Sequence, residues 1–166
     1  MKKQKGFSLI ELLIVVAIIL IIAAIAIPNL IKSKMAANQS GAAGTIRTIN
    51  TGEVTYQSSC PQIGYSATLQ ELNTGAVCKA GQGIVDAIVG SAAGVKSGYT
   101  YVEAGGGAVG GVNTTFTDSA TPVTLGTSGQ NQYCSNQIMV IYFDPAGAAC
   151  AVPANGVPTA TAVVLQ

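Results

Sequence analysis

Residues 12–27, LLIVVAIILIIAAIAI, are 16 consecutive apolar residues. With the flanks from Phe7 to Ile31 the stretch approaches the roughly 20 residues a helix needs to cross a bilayer. No other part of the chain carries so strong a constraint. With 49% hydrophobic and 9% charged residues over 166 positions, what remains has room for one modest globular domain. Lys2, Lys3 and Lys5 precede the apolar run and Lys32 and Lys34 follow it. The bias places the N-terminus on the cytoplasmic side and the C-terminal portion outside the membrane.

Glu11 stands at the start of this run. A carboxylate at membrane depth costs roughly 2.5 to 3.5 kcal/mol on insertion scales, so it needs a partner or a reason to be there. It could snorkel at the headgroup boundary, close to the cytoplasmic end. A secretory signal peptide is a second reading of the whole segment, with Lys2 to Lys5 as its basic region and the small residues Ala24 and Ala26 as its cleavage site. Glu11 within the apolar block, and a helical pattern that continues beyond Pro28, argue against it.

The combination in GFSLIELLIVVAIILIIAAIAIP, a short basic leader ending in Gly6, then Phe7, Glu11, an apolar helix and Pro28, resembles the N-terminal segment of type IV pilins. The resemblance implies cleavage between Gly6 and Phe7 by a membrane prepilin peptidase, N-methylation of Phe7, and polymerisation of the mature chain. It also implies that Glu11 pairs with the new amino group of Phe7 on a neighbouring subunit, which would neutralise two charges that neither partner could bury alone. Further implied partners are an assembly platform and its ATPase. The implied course runs from a single-pass precursor in the inner (cytoplasmic) membrane to an extracellular pilus on the cell surface. Losing Lys2, Lys3 and Lys5 leaves five basic against seven acidic side chains, a nearly neutral subunit.

Past Pro28 the residues Ile31, Met35, Ala42, Ile46, Ile49 and Tyr56 recur at spacings of three, four or seven, the stripe of an amphipathic helix. Lys32, Asn38, Arg47 and Asn50 fall off it. One helix is expected from about Leu9 to about Gln57. Gly41, Gly44 and Gly52 weaken it by about 1 kcal/mol each relative to Ala, so its second half should lean on a packed domain or fray near Gly41. Pro28 has no N–H for the carbonyl of Ala24 and should kink the helix.

From Ser58 the pattern shifts to short segments separated by Gly, Pro, Asn and Ser. Strands are expected at 97–103, 113–118, 137–143, 148–152 and in the tail 159–165, with a short helix at 83–91. Asp144-Pro-Ala-Gly147 has type I turn chemistry. The expected fold is α+β, a long N-terminal helix packed on an antiparallel sheet. The expected division is a leader at 1–6, a membrane or filament-core half helix at 7–31, an amphipathic half at 32–57, a connecting region at 58–96 and a sheet head at 97–166.

Cys60, Cys78, Cys134 and Cys150 allow three connectivities. Oxidation of exported thiols is expected, and the sequential pairs Cys60–Cys78 and Cys134–Cys150 are preferred. If the 144–147 turn sets the register, Cys150 faces Ile141 and Cys134 must fold back from a loop to reach it. The chain has no histidine and no CxxC, so no metal site, cofactor or catalytic group is expected. Gly105 to Gly110 satisfies G-x-G-x-x-G literally, but no amphipathic helix opens after it, so it reads as a hairpin-like loop. No basic stripe favours nucleic acid. Asn38 and Asn113 sit in glycosylation-type triplets, a weak match. The expected function is a structural subunit, a major pilin. A secretion pseudopilin and a secreted or anchored binding module that never polymerises are the alternatives.

Overall fold

A computed structural model describes residues 7–79, 82–92, 94–145, 147, 150 and 162–165. The chain divides into two units, Met1–Lys34 and Met35–Gln166. Helix α1 (Leu9–Ser59) supplies all the regular structure described in the first unit and continues into the second.

In the first unit the helix carries apolar side chains on every side, and they stand in the open: Leu9 is 79% exposed and Leu20 63%. Pro28 lies inside the helix. Residues 1–6, expected to be a leader ending at Gly6, lie outside the described residues.

In the second unit α1 buries one face, made of Ala42, Ala43, Ile46, Ile49, Asn50, Gly52, Glu53 and Tyr56. The expected stripe at Ala42, Ile46, Ile49 and Tyr56 is therefore the core face, and Asn50, expected off it, is buried as well. Leu69, Leu72, Val85, Val89, Tyr99, Tyr101, Ala120, Tyr133 and Ile141 complete the core around it. Each fully buried Ile or Leu there stabilises the fold by about 1.5 to 3 kcal/mol. The helix runs through Gly41, Gly44 and Gly52 without fraying. Thr45, Thr48, Thr51 and Thr55 each donate a hydroxyl hydrogen bond to the carbonyl four residues earlier.

The connecting region is closed by the Cys60–Cys78 disulfide, whose Cα atoms are 6.4 Å apart. It contains helix α2 (Leu69–Thr74), which buries Leu69 and Leu72 and ends at Gly75, whose φ is 63°. The left-handed backbone there favours glycine. The helix expected at 83–91 is replaced by turns. Asp86 Oδ1 accepts from the N–H groups of Ile88 and Val89, so a short acidic side chain takes the donors that a helix would need. Val85 and Val89 are buried all the same.

Six strands follow: β1 (Val95–Lys96), β2 (Tyr99–Gly106), β3 (Thr115–Pro122), β4 (Gln132–Asn136), β5 (Tyr142–Asp144) and β6 (Val163–Val164). They form one antiparallel sheet in sequence order, so the expected α+β meander is the fold. Ser97 and Gly98, with φ of 50° and 73°, make the two-residue turn between β1 and β2. The literal G-x-G-x-x-G forms the end of β2 and the hairpin beyond it, with a bridge between Val109 and Val112.

The strand expected at 137–143 is a correction. Asn136 Oδ1 accepts from the N–H of Ile138, its carbonyl accepts from Met139, and Met139 has φ of 65°. Those bonds turn the chain, and the strands lie on either side of it, as β4 and β5. Cys134 is therefore in β4 opposite Tyr142, not in a loop, and it is bonded to Cys150 with Cα atoms 5.7 Å apart. Gly147 donates to the Asp144 carbonyl at 3.3 Å, as a turn requires. The strand expected at 148–152 falls outside the described residues except for Cys150, and the 159–165 tail does so up to residue 161.

Candidate assembly site

Of the residues singled out at the N-terminus, Glu11 lies in the first turn of α1 and Phe7 just ahead of it. Phe7 is 89% exposed, directly before the helix. Glu11 lies one turn in, and its Oε2 accepts a hydrogen bond from the backbone N–H of Ser8 at 2.9 Å. Ser8 precedes the first helical residue and Glu11 is the third, which is the S-x-x-E spacing of a capping box, here made by its carboxylate half. The sequence reading missed this local role, although the spacing was there to be read. Glu11 thus satisfies one of the orphan donors at the helix start and places a negative charge where the helix dipole favours it.

From Leu9 to Leu30 the helix displays Leu, Ile, Val and Ala on all faces, and Leu9, Leu12, Leu13, Val16, Ala17 and Leu20 line one shallow apolar depression. A helix that is apolar all round must be covered by lipid or by protein. It is long and apolar enough to cross a membrane. Such a surface can sit in a bilayer or pack against copies of itself, and neither requires a reactive group.

The other residues marked in the sequence have structural roles. The two disulfides brace the head at its connecting region and at β4. Asn38 donates its side-chain amide to the Ser128 carbonyl at 2.7 Å, and Asn113 donates its own to Tyr65 at 3.0 Å. Both amides are engaged in holding loops, which argues against a glycan on either. The Tyr56 phenol is pushed up to about 12 by burial and by Glu71, whose carboxylate accepts its hydroxyl hydrogen bond. Among the described residues no group of three or more His, Cys, Asp or Glu is placed to hold a metal ion.

Residues 1–27 match the prokaryotic N-terminal methylation motif. The chain is also 48% identical over 54 residues to the type IV major pilin protein PilA of Myxococcus xanthus, a match covering 32% of this chain and 24% of that protein. It is 58% identical over 40 residues to the type IV wide pilus major component PilA4 of Thermus thermophilus, covering 24% of this chain and 30% of that one. The chain thus spans less than a third of the length of the curated relatives it matches. No solved structure matches it. The N-terminal segment is thus similar to that of type IV major pilins, and the α+β architecture is pilin-like.

Proposed function

We propose that this chain is the structural subunit, a major pilin, of a type IV pilus, and that it polymerises through its N-terminal helix after cleavage between Gly6 and Phe7. The observation that carries the reading is a half helix with no buried face adjoining a methylation motif. In the precursor, lipid covers that surface. In the filament, the same surfaces of neighbouring copies cover one another, while the disulfide-braced heads face outward.

Cleavage exposes a new ammonium on Phe7, which is then methylated. The Glu11 carboxylate, at the level of the first helical turn, is the group that receives the ammonium of an adjacent subunit. Pairing the two in a dry bundle removes the cost of burying either alone and fixes the axial register. The remaining partners are a prepilin peptidase, an assembly platform and its ATPase. On this reading 1–6 is the leader, 7–31 the membrane and filament-core segment, 32–57 the amphipathic half, 58–96 the connection and 97–166 the sheet head. The role is structural rather than catalytic, and no cofactor enters it.

Filaments sheared from cells and labelled with antibody against the head test the proposal. Labelling along the whole filament, lost on deletion of the gene, is the expected result. A chain that stays in the cell envelope would indicate a pseudopilin, and one found only as monomer would indicate a binding module. Either result overturns the assignment.

A further inference from the structure

The head encloses a group of acids between α1 and the sheet that the assembly role does not use. Glu53 of α1 and Ser66 are fully buried, Asp118 of β3 is 2% exposed and Glu103 of β2 is 7% exposed. Glu103 and Asp118 are direct cross-strand partners, and Ser135 of β4 is opposite Asp118 on its other side. The Asn50 amide of α1 donates to the Ser135 hydroxyl at 2.8 Å. Ser66 joins the acids. Its N–H donates to Glu53 Oε2 at 2.9 Å, and its hydroxyl oxygen is 2.5 Å from Glu53 Oε1 and 2.6 Å from Glu103 Oε1.

Those two short distances set a minimum proton count. A serine hydroxyl carries one hydrogen, and an ionised carboxylate can only accept. The Ser66 hydroxyl can therefore serve one of the two carboxyl oxygens. At 2.5 and 2.6 Å both spacings are hydrogen bonds of the short O–H···O kind, so the other carboxyl holds its own proton and donates it to Ser66 Oγ.

A second observation points the same way. Glu103 Oε2, both carboxyl oxygens of Asp118 and Asn50 Oδ1 are buried without a hydrogen-bond partner. The backbone N–H groups of Asp118 itself and of Ser135 favour its ionised form but only partly offset its burial. All four orphan atoms are acceptors. What the site lacks is hydrogen, and its acids are not arranged as the ligand set of a metal.

The groups that face the site add no cation. From α1 come Glu53 and Tyr56, from the connecting loop Tyr65, from α2 Glu71 through the Tyr56 hydroxyl, from β2 Glu103 and from β3 Asp118. β4 contributes the neutral Ser135, and the β5 side packs the apolar Ile141 and Phe143. Asp144 is paired with Gln132, on the other face of the sheet. Lys96 forms its ion pair with Asp86.

We propose that Glu53, Ser66, Glu103 and Asp118 form a proton-binding site that fastens α1 to the sheet, and that the head loosens when those protons leave. Burial, the largest cause, pushes the Asp118 carboxyl up to about 8, and burial followed by Glu53 raises Glu103 well above the usual carboxylate range. The sign follows from linkage. Between about pH 4, where an unfolded carboxyl ionises, and about 8 the folded head holds protons that the unfolded chain has released. Stability is then greatest in acid and falls as pH rises through that window. Each retained proton raises the unfolding constant about tenfold per pH unit.

The test uses the full-length protein in nonionic detergent. Because the chain has no histidine, few other groups exchange protons near neutrality. Urea unfolding in unbuffered solution near pH 6.5 should release at least one proton per chain, and the unfolding constant should rise between pH 5 and 8. Glu103→Gln and Asp118→Asn should each reduce the release and flatten the pH profile. No proton release from the wild-type chain overturns the proposal even if both variants fail to fold. Release unchanged by either substitution overturns it as well.

Discussion

Gly52 of α1 lies against Ile84 so closely that a methyl group in place of its hydrogen would come within 2.5 Å of the Ile84 Cγ2. Gly44, two turns earlier on the same helix, has nothing within 4 Å of the equivalent position. Two glycines that weaken the isolated helix equally therefore differ in the fold.

Gly44→Ala should stabilise the head by about 1 kcal/mol, since it removes backbone entropy from the unfolded chain and meets no obstacle. Gly52→Ala should destabilise it by about 1 to 3 kcal/mol through overpacking against Ile84. Urea unfolding of the two variants in detergent checks both signs. A stabilising Gly52→Ala would show that Ile84 can move aside.

The disulfides close sequence separations of 18 and 16 residues. Replacing Cys60 and Cys78 together by Ser should lower stability by about 3 kcal/mol. The loss should fall on the connecting region around α2 first, so hydrogen exchange at 61–77 should quicken before that of β2 and β3. Uniform quickening across the sheet would show instead that the bond braces the whole head.

The long helix and its core face were legible because Ala42, Ile46, Ile49 and Tyr56 repeat with the helical period. The buried acids and amides were not legible. Asn50 reads as off the stripe until its partner Ser135 is brought from 85 residues away, and nothing in the sequence marks Glu53 as buried until Ser66, 13 residues on, folds against it. Strand β4, QYCSN, has little apolar signal, whereas the apolar QIMVIYF that follows is broken by the Asn136 turn. Hydrophobicity therefore pointed to the wrong stretch. At 83–91 the same signal, Val85 and Val89 four apart, marked a core contact correctly but not a helix, because Asp86 captures the backbone donors. In the candidate site Phe7 and Glu11 were singled out by the resemblance of residues 6–28 to a known N-terminal segment, while the Ser8 contact of Glu11 was not noticed.

Pro28 leaves the Ala24 carbonyl without its helical donor. In the filament the stretch around 24–28 is therefore where α1 should unwind, lengthening from about 1.5 Å toward 3.3 Å per residue. A filament density map should show extended backbone there. Unbroken helical rise from Leu12 through Asn38 would contradict this.

Glu11→Gln separates the two roles of that side chain. Glutamine can still accept from the Ser8 N–H in a capping box, but it has no charge for a neighbouring ammonium. Membrane insertion and helix content should survive while filament yield collapses, because a buried ammonium left without its partner costs about 3 to 5 kcal/mol. Normal filament yield would show that the pairing is dispensable.

Intact mass spectrometry of the chain recovered from sheared surface filaments is the most direct test of the pilin-subunit account. The predicted mass is that of a chain beginning at Phe7, carrying one N-terminal methyl group and two disulfides. A chain beginning at Ile27, after the small residues Ala24 and Ala26, would mean ordinary signal-peptide cleavage, loss of the assembly helix and a head that cannot polymerise in this way.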